Sequence, residues 1–87
     1  MKLQWLESAW EEYLSWQSEN KKTLKRINLL IKDIQRNGHI GIGKSEPLSS
    51  VKSGWWSRRI DEKNRLVYKI IDNALIVASC KYHYIDN

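Results

Sequence analysis

The apolar and polar positions of the chain follow two different periods, one in each half. At the start, Leu3 and Trp5 alternate with Lys2 and Gln4, which is the period of a half-buried strand, so Met1 to Trp5 is read as strand one. Ser8 with Glu11 three positions later has the capping-box pattern and predicts the start of a first helix there. At helical spacing Ala9, Trp10, Tyr13, Leu14 and Trp16 fall on one side, a stripe suited to burial against a sheet, with Glu11, Glu12 and Ser15 on the other. Ser18, Glu19 and Asn20 compete for backbone hydrogen bonds and predict a tight corner. A second helix follows from about Lys21 to Arg36. Leu24, Ile27, Leu30, Ile31 and Ile34 form its apolar arc, and Lys21, Lys25, Lys32 and Arg36 cluster on another. Leu29 falls near the basic arc, where a subunit contact is the one packing role the pattern offers it. Asn37 and Gly38 end the helix.

The period then changes. In GHIGIGKSEPLSS, Gly41, Gly43 and Pro47 exclude regular helix. The G-x-G there lacks the third glycine and flanking elements of a dinucleotide fingerprint. A short edge strand is expected around Pro47 to Ser49, where proline is tolerated, and His39 reads as a solvated loop residue. From Trp55 to Tyr84 the chain reads as three strands. Trp56, Arg58 and Ile60 alternate with Trp55, Ser57 and Arg59, and Asp61 to Asn64 turns into a strand over Arg65 to Ile71. Asp72-Asn73 makes a two-residue hairpin into Ala74 to Tyr84, the longest expected strand. With that hairpin closed on Ile71 and Ala74, Arg65 lies opposite Cys80. Strict alternation then puts Arg59 and His83 on one face and Arg65 on the other, so gathering all three needs a bulge or twist. Cys80 reads as a small core residue. The elements run β-α-α-β-β-β-β, an α+β fold in one domain over residues 1–87.

Composition sharpens this picture. Fifteen Lys and Arg against ten Asp and Glu give a net charge of +5 and a pI near 9.5, which favours a polyanionic partner. One cysteine excludes an internal disulfide and a thiol zinc cluster, and suits a reducing compartment. Neither a signal-peptide pattern nor an apolar run of about 18 residues occurs, so a cytoplasmic protein without a membrane span is expected. The C-terminal strands carry Arg58, Arg59, Arg65, Lys81, His83 and Tyr84 among apolar residues. Packing alone has little use for such charges, so the sheet reads as an anion platform. One carboxylate, one or two arginines and one histidine suit phosphodiester transfer within RNA without a metal or other cofactor. The carboxylate takes a proton from a 2'-hydroxyl, arginine stabilises charge on phosphorus oxygens, and imidazole protonates the leaving 5'-oxygen. Structural ion pairing is the alternative use of the same residues.

Four phrases at compatible spacing carry a resemblance: KSEPL at 44–48, GWWSRRI at 54–60, NRLVY at 64–68 and KYHY at 81–84. With MKLQW at the start and RINLLIKDIQR in the second helix, the chain resembles the YoeB/Txe family of toxins in the RelE superfamily, nearly end to end. The resemblance implies two helices packed on a mainly antiparallel, RelE-like sheet. It also implies a ribosome-dependent endoribonuclease that cuts mRNA in the ribosomal A site and is held inactive by a YefM/Axe-type antitoxin. Residue by residue, Glu46 resembles the general base, Arg65 the phosphate and transition-state group, and His83 the general acid. Arg59 and Tyr84 match positions that hold the RNA, Tyr84 with a ring able to stack on a base, and the basic Lys44 is expected to bind RNA beside them. Some relatives carry lysine where this chain has Ser49, and many end near the tyrosine that Ile85, Asp86 and Asn87 here extend.

Two other classes compete: a noncatalytic RNA- or ribosome-binding module, and a protein-interaction unit whose basic groove takes an acidic peptide. A groove of Lys44, Arg59, Arg65 and Lys81 would attract a disordered acidic antitoxin tail. The paired tryptophans make a homodimer surface a further expectation.

Overall fold

Asn20 alone separates the two helices into which the first half folds. The computed structural model of the chain describes residues 1–48 and 54–82. Its elements are β1 Lys2–Trp5, α1 Glu7–Glu19, α2 Lys21–Asn37, β2 Glu46–Pro47, β3 Trp56–Arg59, β4 Arg65–Ile71 and β5 Ala74–Ser79. The Asn20 side chain accepts hydrogen bonds from the backbone amides of Lys22 and Thr23 and so caps α2, as its short amide is suited to do. The α1 terminus departs from expectation. Leu6 is its N-cap, without a side-chain cap, and Ser8 falls inside the first turn. The Leu6 amide is still bound to the Val77 carbonyl at 2.9 Å, so the sheet, not a capping box, sets where α1 begins.

The described strands form one five-stranded sheet in the order β1-β5-β4-β3-β2. β1 runs parallel to β5, and the other neighbours are antiparallel. Both helices pack on one face of it. Ala9 and Trp16 from α1 and Ile27, Leu30, Ile31 and Ile34 from α2 meet Leu66, Tyr68, Leu75 and Val77 in a common core. The α2 arc is buried as read, Leu24 only in part, while the α1 stripe leaves Trp10 and Leu14 44% and 43% exposed. Trp10 packs instead with Tyr13 and Trp5, at ring-centroid distances of 5.6 Å each, in an aromatic group at the rim. Leu29 is exposed.

Directly paired residues of neighbouring strands share a face. The register therefore puts Trp56, Arg58, Leu66 and Tyr68 on the helix side and Glu46, Ser57, Arg59, Arg65 and Val67 on the opposite side. Arg59 pairs with Arg65, which corrects the expectation that alternation separates them.

The hairpin at Asp72-Asn73 forms as expected, with φ of 49° and 57°. Further along, the β4–β5 ladder shifts. Tyr68 pairs with Val77 but Val67 with Ser79, leaving Ala78 as the extra residue of a bulge. Arg65 consequently does not oppose Cys80, and its amide donates to the Tyr82 carbonyl at 3.2 Å. β5 stops at Ser79 and is shorter than β4. The cause is competition from α1: Glu12 accepts from the Cys80 amide, Trp16 donates its indole N–H to the Cys80 carbonyl, and Lys81 binds Ser15 and Glu19. These bonds draw the chain off the ladder, and Tyr82 adopts a positive φ of 68°.

Candidate functional site

The segment that carries Lys44 and Glu46 hangs from the core by two side chains of the sheet. Arg58 is fully buried under the loop at 38–43. Its guanidinium donates to the Gly38 carbonyl at 2.7 Å and the Ile42 carbonyl at 2.8 Å, and pairs with Asp33 of α2. Arg58 is thus no part of an open cationic platform. It gathers a loop whose carbonyls would otherwise lack partners. The bond to Arg58 holds the Asp33 carboxyl below its ordinary value, and the Asn37 amide and Ile42 N–H assist. Gly41 is required here, because a Cβ would fall 1.8 Å from Asp33 Oδ2.

The second attachment is Tyr68, whose hydroxyl lies 3.2 Å from both His39 Nδ1 and Ser45 Oγ. His39 is not a solvated loop residue. Its ring stacks on Trp56 with centroids 3.9 Å apart and planes at 13°, and burial, aided by the Arg58 charge, pushes its pKa down. The Gly43 carbonyl also accepts from the Arg59 amide at 2.6 Å.

Held this way, β2 presents Glu46 on the face away from the helices, in register with Ser57 of β3. Arg65, at the start of β4, reaches over Ser57 so that its Nη1 lies 3.6 Å from Glu46 Oε1 and 3.4 Å from Ser57 Oγ. The Glu46 side chain is 58% exposed and that of Arg65 17%. Carboxylate and guanidinium are therefore adjacent and open to a ligand on one side. Arg59, exposed and directly opposite Arg65, adds a second positive charge to the same face. Like charges opposite one another are unfavourable without a counter-charge; Glu46 offsets one of the two arginines, and the corner keeps a net positive charge that suits an anion. Lys44 is exposed two residues before Glu46, at a φ of 49°.

The structure brings Glu46, Arg65 and Arg59 to one corner. His83 and Tyr84, as well as Ser49 and the tail 85–87, lie outside the described residues. Lys81 does not join the groove expected for it. Its ammonium is bound by Glu19 and Ser15 on α1, 4.8 Å from the Trp16 ring, and the Glu19 bond raises its pKa. Sequence reasoning missed Ser57, Tyr68 and Ser45. The parity of Tyr68 with Trp56 was a usable signal for the second attachment, on the helix side, whereas a serine carries none. Among the described residues no three His, Cys, Asp or Glu side chains group as a metal site, and no helix is long and apolar enough to cross a membrane.

Comparison with known proteins identifies the family and the fold. Residues 5–84 match the family model described as the YoeB-like toxin of bacterial type II toxin-antitoxin systems. The chain is 52% identical to Toxin YoeB of Escherichia coli (strain K12) over 97% of its own length and 100% of the relative's. Among solved structures it is similar to a YoeB/ParE toxin from Agrobacterium tumefaciens, with 40% identity, a TM-score of 0.94 and coverage of 97% and 100%. It is also similar to YoeB in a YoeB-YefM complex from Staphylococcus aureus, with 48% identity, a TM-score of 0.90 and coverage of 97% and 98%; that organism's YoeB is also known as a dimer. Motif, register and whole-chain likeness thus converge, and the chain belongs to the YoeB-like toxins of bacterial type II toxin-antitoxin systems.

Proposed function

We propose that this toxin is a ribosome-dependent endoribonuclease that cleaves mRNA in the A site by general acid-base catalysis and so inhibits translation. The observation that carries the reading is the Glu46–Arg65 pair, a carboxylate and a guanidinium 3.6 Å apart on an open face. Glu46 is suited to accept the proton of a 2'-hydroxyl, and Arg65 to bind the phosphate oxygens on which charge develops. When RNA enters, Arg65 exchanges part of its contact with Glu46 for the phosphate, which frees the carboxylate for the hydroxyl. His83 is assigned the protonation of the leaving 5'-oxygen, and Lys44, Arg59 and Tyr84 the holding of the strand. A YefM-type antitoxin is the assigned inhibitor: an acidic segment laid over Lys44, Arg59 and Arg65 would compete with RNA for one site.

The test is cleavage of mRNA on translating ribosomes by Glu46→Gln and His83→Gln. Each is expected to lose about 10²- to 10⁴-fold in rate, with ribosome binding retained. Cleavage at the wild-type rate in both variants overturns the assignment. Ribosome binding by the unmodified protein without any cleavage identifies a noncatalytic docking module instead.

A further inference from the structure

Glu46 sits in a strand of two residues, too short to fix a side chain by its own ladder. What holds the approach to it is a run of three polar groups crossing from loop to sheet: His39 Nδ1, the Tyr68 hydroxyl and Ser45 Oγ, with both contacts at 3.2 Å. Tyr68 is fully buried and β4 fixes its backbone, while His39 is pinned by its stack on Trp56. The third member is Ser45, partly buried and one residue before Glu46. A hydroxyl carries one proton, so Tyr68 donates to one neighbour and accepts from the other, and both contacts are satisfied together. The ring of Tyr68 belongs to the core, and among the described residues its hydroxyl is bonded by the loop residues His39 and Ser45.

We propose that the Tyr68 hydroxyl, acting through Ser45 and backed by His39, is a positioning group that fixes the Glu46 carboxylate opposite Arg65. The proposal rests on the role assigned above to Glu46, yet its structural content stands independently of catalysis. Loss of the hydroxyl frees Ser45 and lets β2 sample positions away from β3, and small displacements of a general base reduce rate steeply.

The experiment compares Tyr68→Phe, which keeps the buried ring, with Ser45→Ala and the double variant. Two readouts are taken: amide hydrogen exchange at Leu48, whose N–H bonds the Trp55 carbonyl at 2.9 Å and reports on the β2–β3 pairing, and steady-state cleavage on ribosomes. Each single variant is expected to exchange at Leu48 roughly 10-fold faster, and the double variant no faster than either, because all three remove the same bond. kcat is expected to fall by a similar factor with KM unchanged. Amides of β5 serve as the control for global stability. Exchange at Leu48 that is unchanged, or that moves only in step with β5, overturns the proposal. Faster exchange at Leu48 in an otherwise intact protein whose unmodified form cleaves no RNA supports positioning and removes the catalytic reading instead.

Discussion

The Arg65 guanidinium is shared by Glu46 and Ser57, its Nη1 3.6 Å from the carboxylate oxygen of one and 3.4 Å from the hydroxyl of the other. Glu46 and Arg65 lie on strands that are not neighbours, with β3 between them. The residue of β3 under the pair must be small for the two side chains to meet.

Ser57→Val is therefore expected to push Arg65 away from Glu46. Ser57 is buried, so the added methyl groups cost about 1–3 kcal/mol by overpacking, and cleavage on ribosomes is expected to fall by roughly 10-fold or more. Ser57→Ala loses only the long 3.4 Å contact and should cleave at close to the wild-type rate. Rate measurements on the two variants side by side check this.

Arg58 is a buried cation whose counter-ion is Asp33. Asp33→Ala should destabilise the protein by about 3–5 kcal/mol, since it leaves that charge uncompensated. The pair Arg58→Met with Asp33→Leu should recover part of the loss. Urea denaturation midpoints of the three proteins measure both effects. Because the folded-state pKa of Asp33 is lowered, its contribution is complete above the unfolded value of about 3.9 and disappears as pH falls through the lowered one.

His39 acts in a different window. Burial and the neighbouring Arg58 lower its folded pKa, so below about pH 6.5 the unfolded chain binds a proton that the folded protein resists. Stability should fall as pH drops from 7.5 to 5.5, and His39→Phe, which keeps an aromatic ring against Trp56, should flatten that part of the curve. Denaturation at a series of pH values separates this slope from the more acidic one of Asp33.

Cys80 is the sole cysteine. It is buried, and desolvation, with the Glu12 charge, pushes its thiol up to about 12. Only thiolate reacts with alkylating agents. Native protein should resist iodoacetamide at pH 8, and a single adduct should form on unfolding in urea, as read by mass spectrometry.

The second helix and the hairpin were legible because each rests on local signals, whereas Glu46, Arg65 and His83 were singled out by the family resemblance. The α2 arc from Leu24 to Ile34 has an unbroken helical period, and Asp72-Asn73 tolerates the positive φ that a tight hairpin demands. What could not be read depends on contacts far apart in sequence. The Ala78 bulge and the early end of β5 arise from Glu12 and Trp16, 68 and 64 residues from Cys80. Arg58 and Arg59 are neighbours of the same type, yet one is buried on the helix side and the other exposed on the opposite face. Strand parity distinguishes them only once β3 is known to have helices on one side. His39 was misread for the same reason, since its partners Trp56 and Tyr68 arrive from strands formed later in the chain.

The parallel pairing of β1 with β5 also sets a timetable for synthesis. Lys2 is among the first residues to be made, and its partner is Ala74; β5 in turn supplies the central core residues Leu75 and Val77. Until that hairpin has been translated, β1 has no neighbour and the helices have no complete surface to pack on. Contacts of such long sequence separation form slowly and late. A growing chain can therefore carry Glu46 and Arg65 already joined into one polypeptide and still lack the complete sheet that supports them, which closes only once β5 has been made.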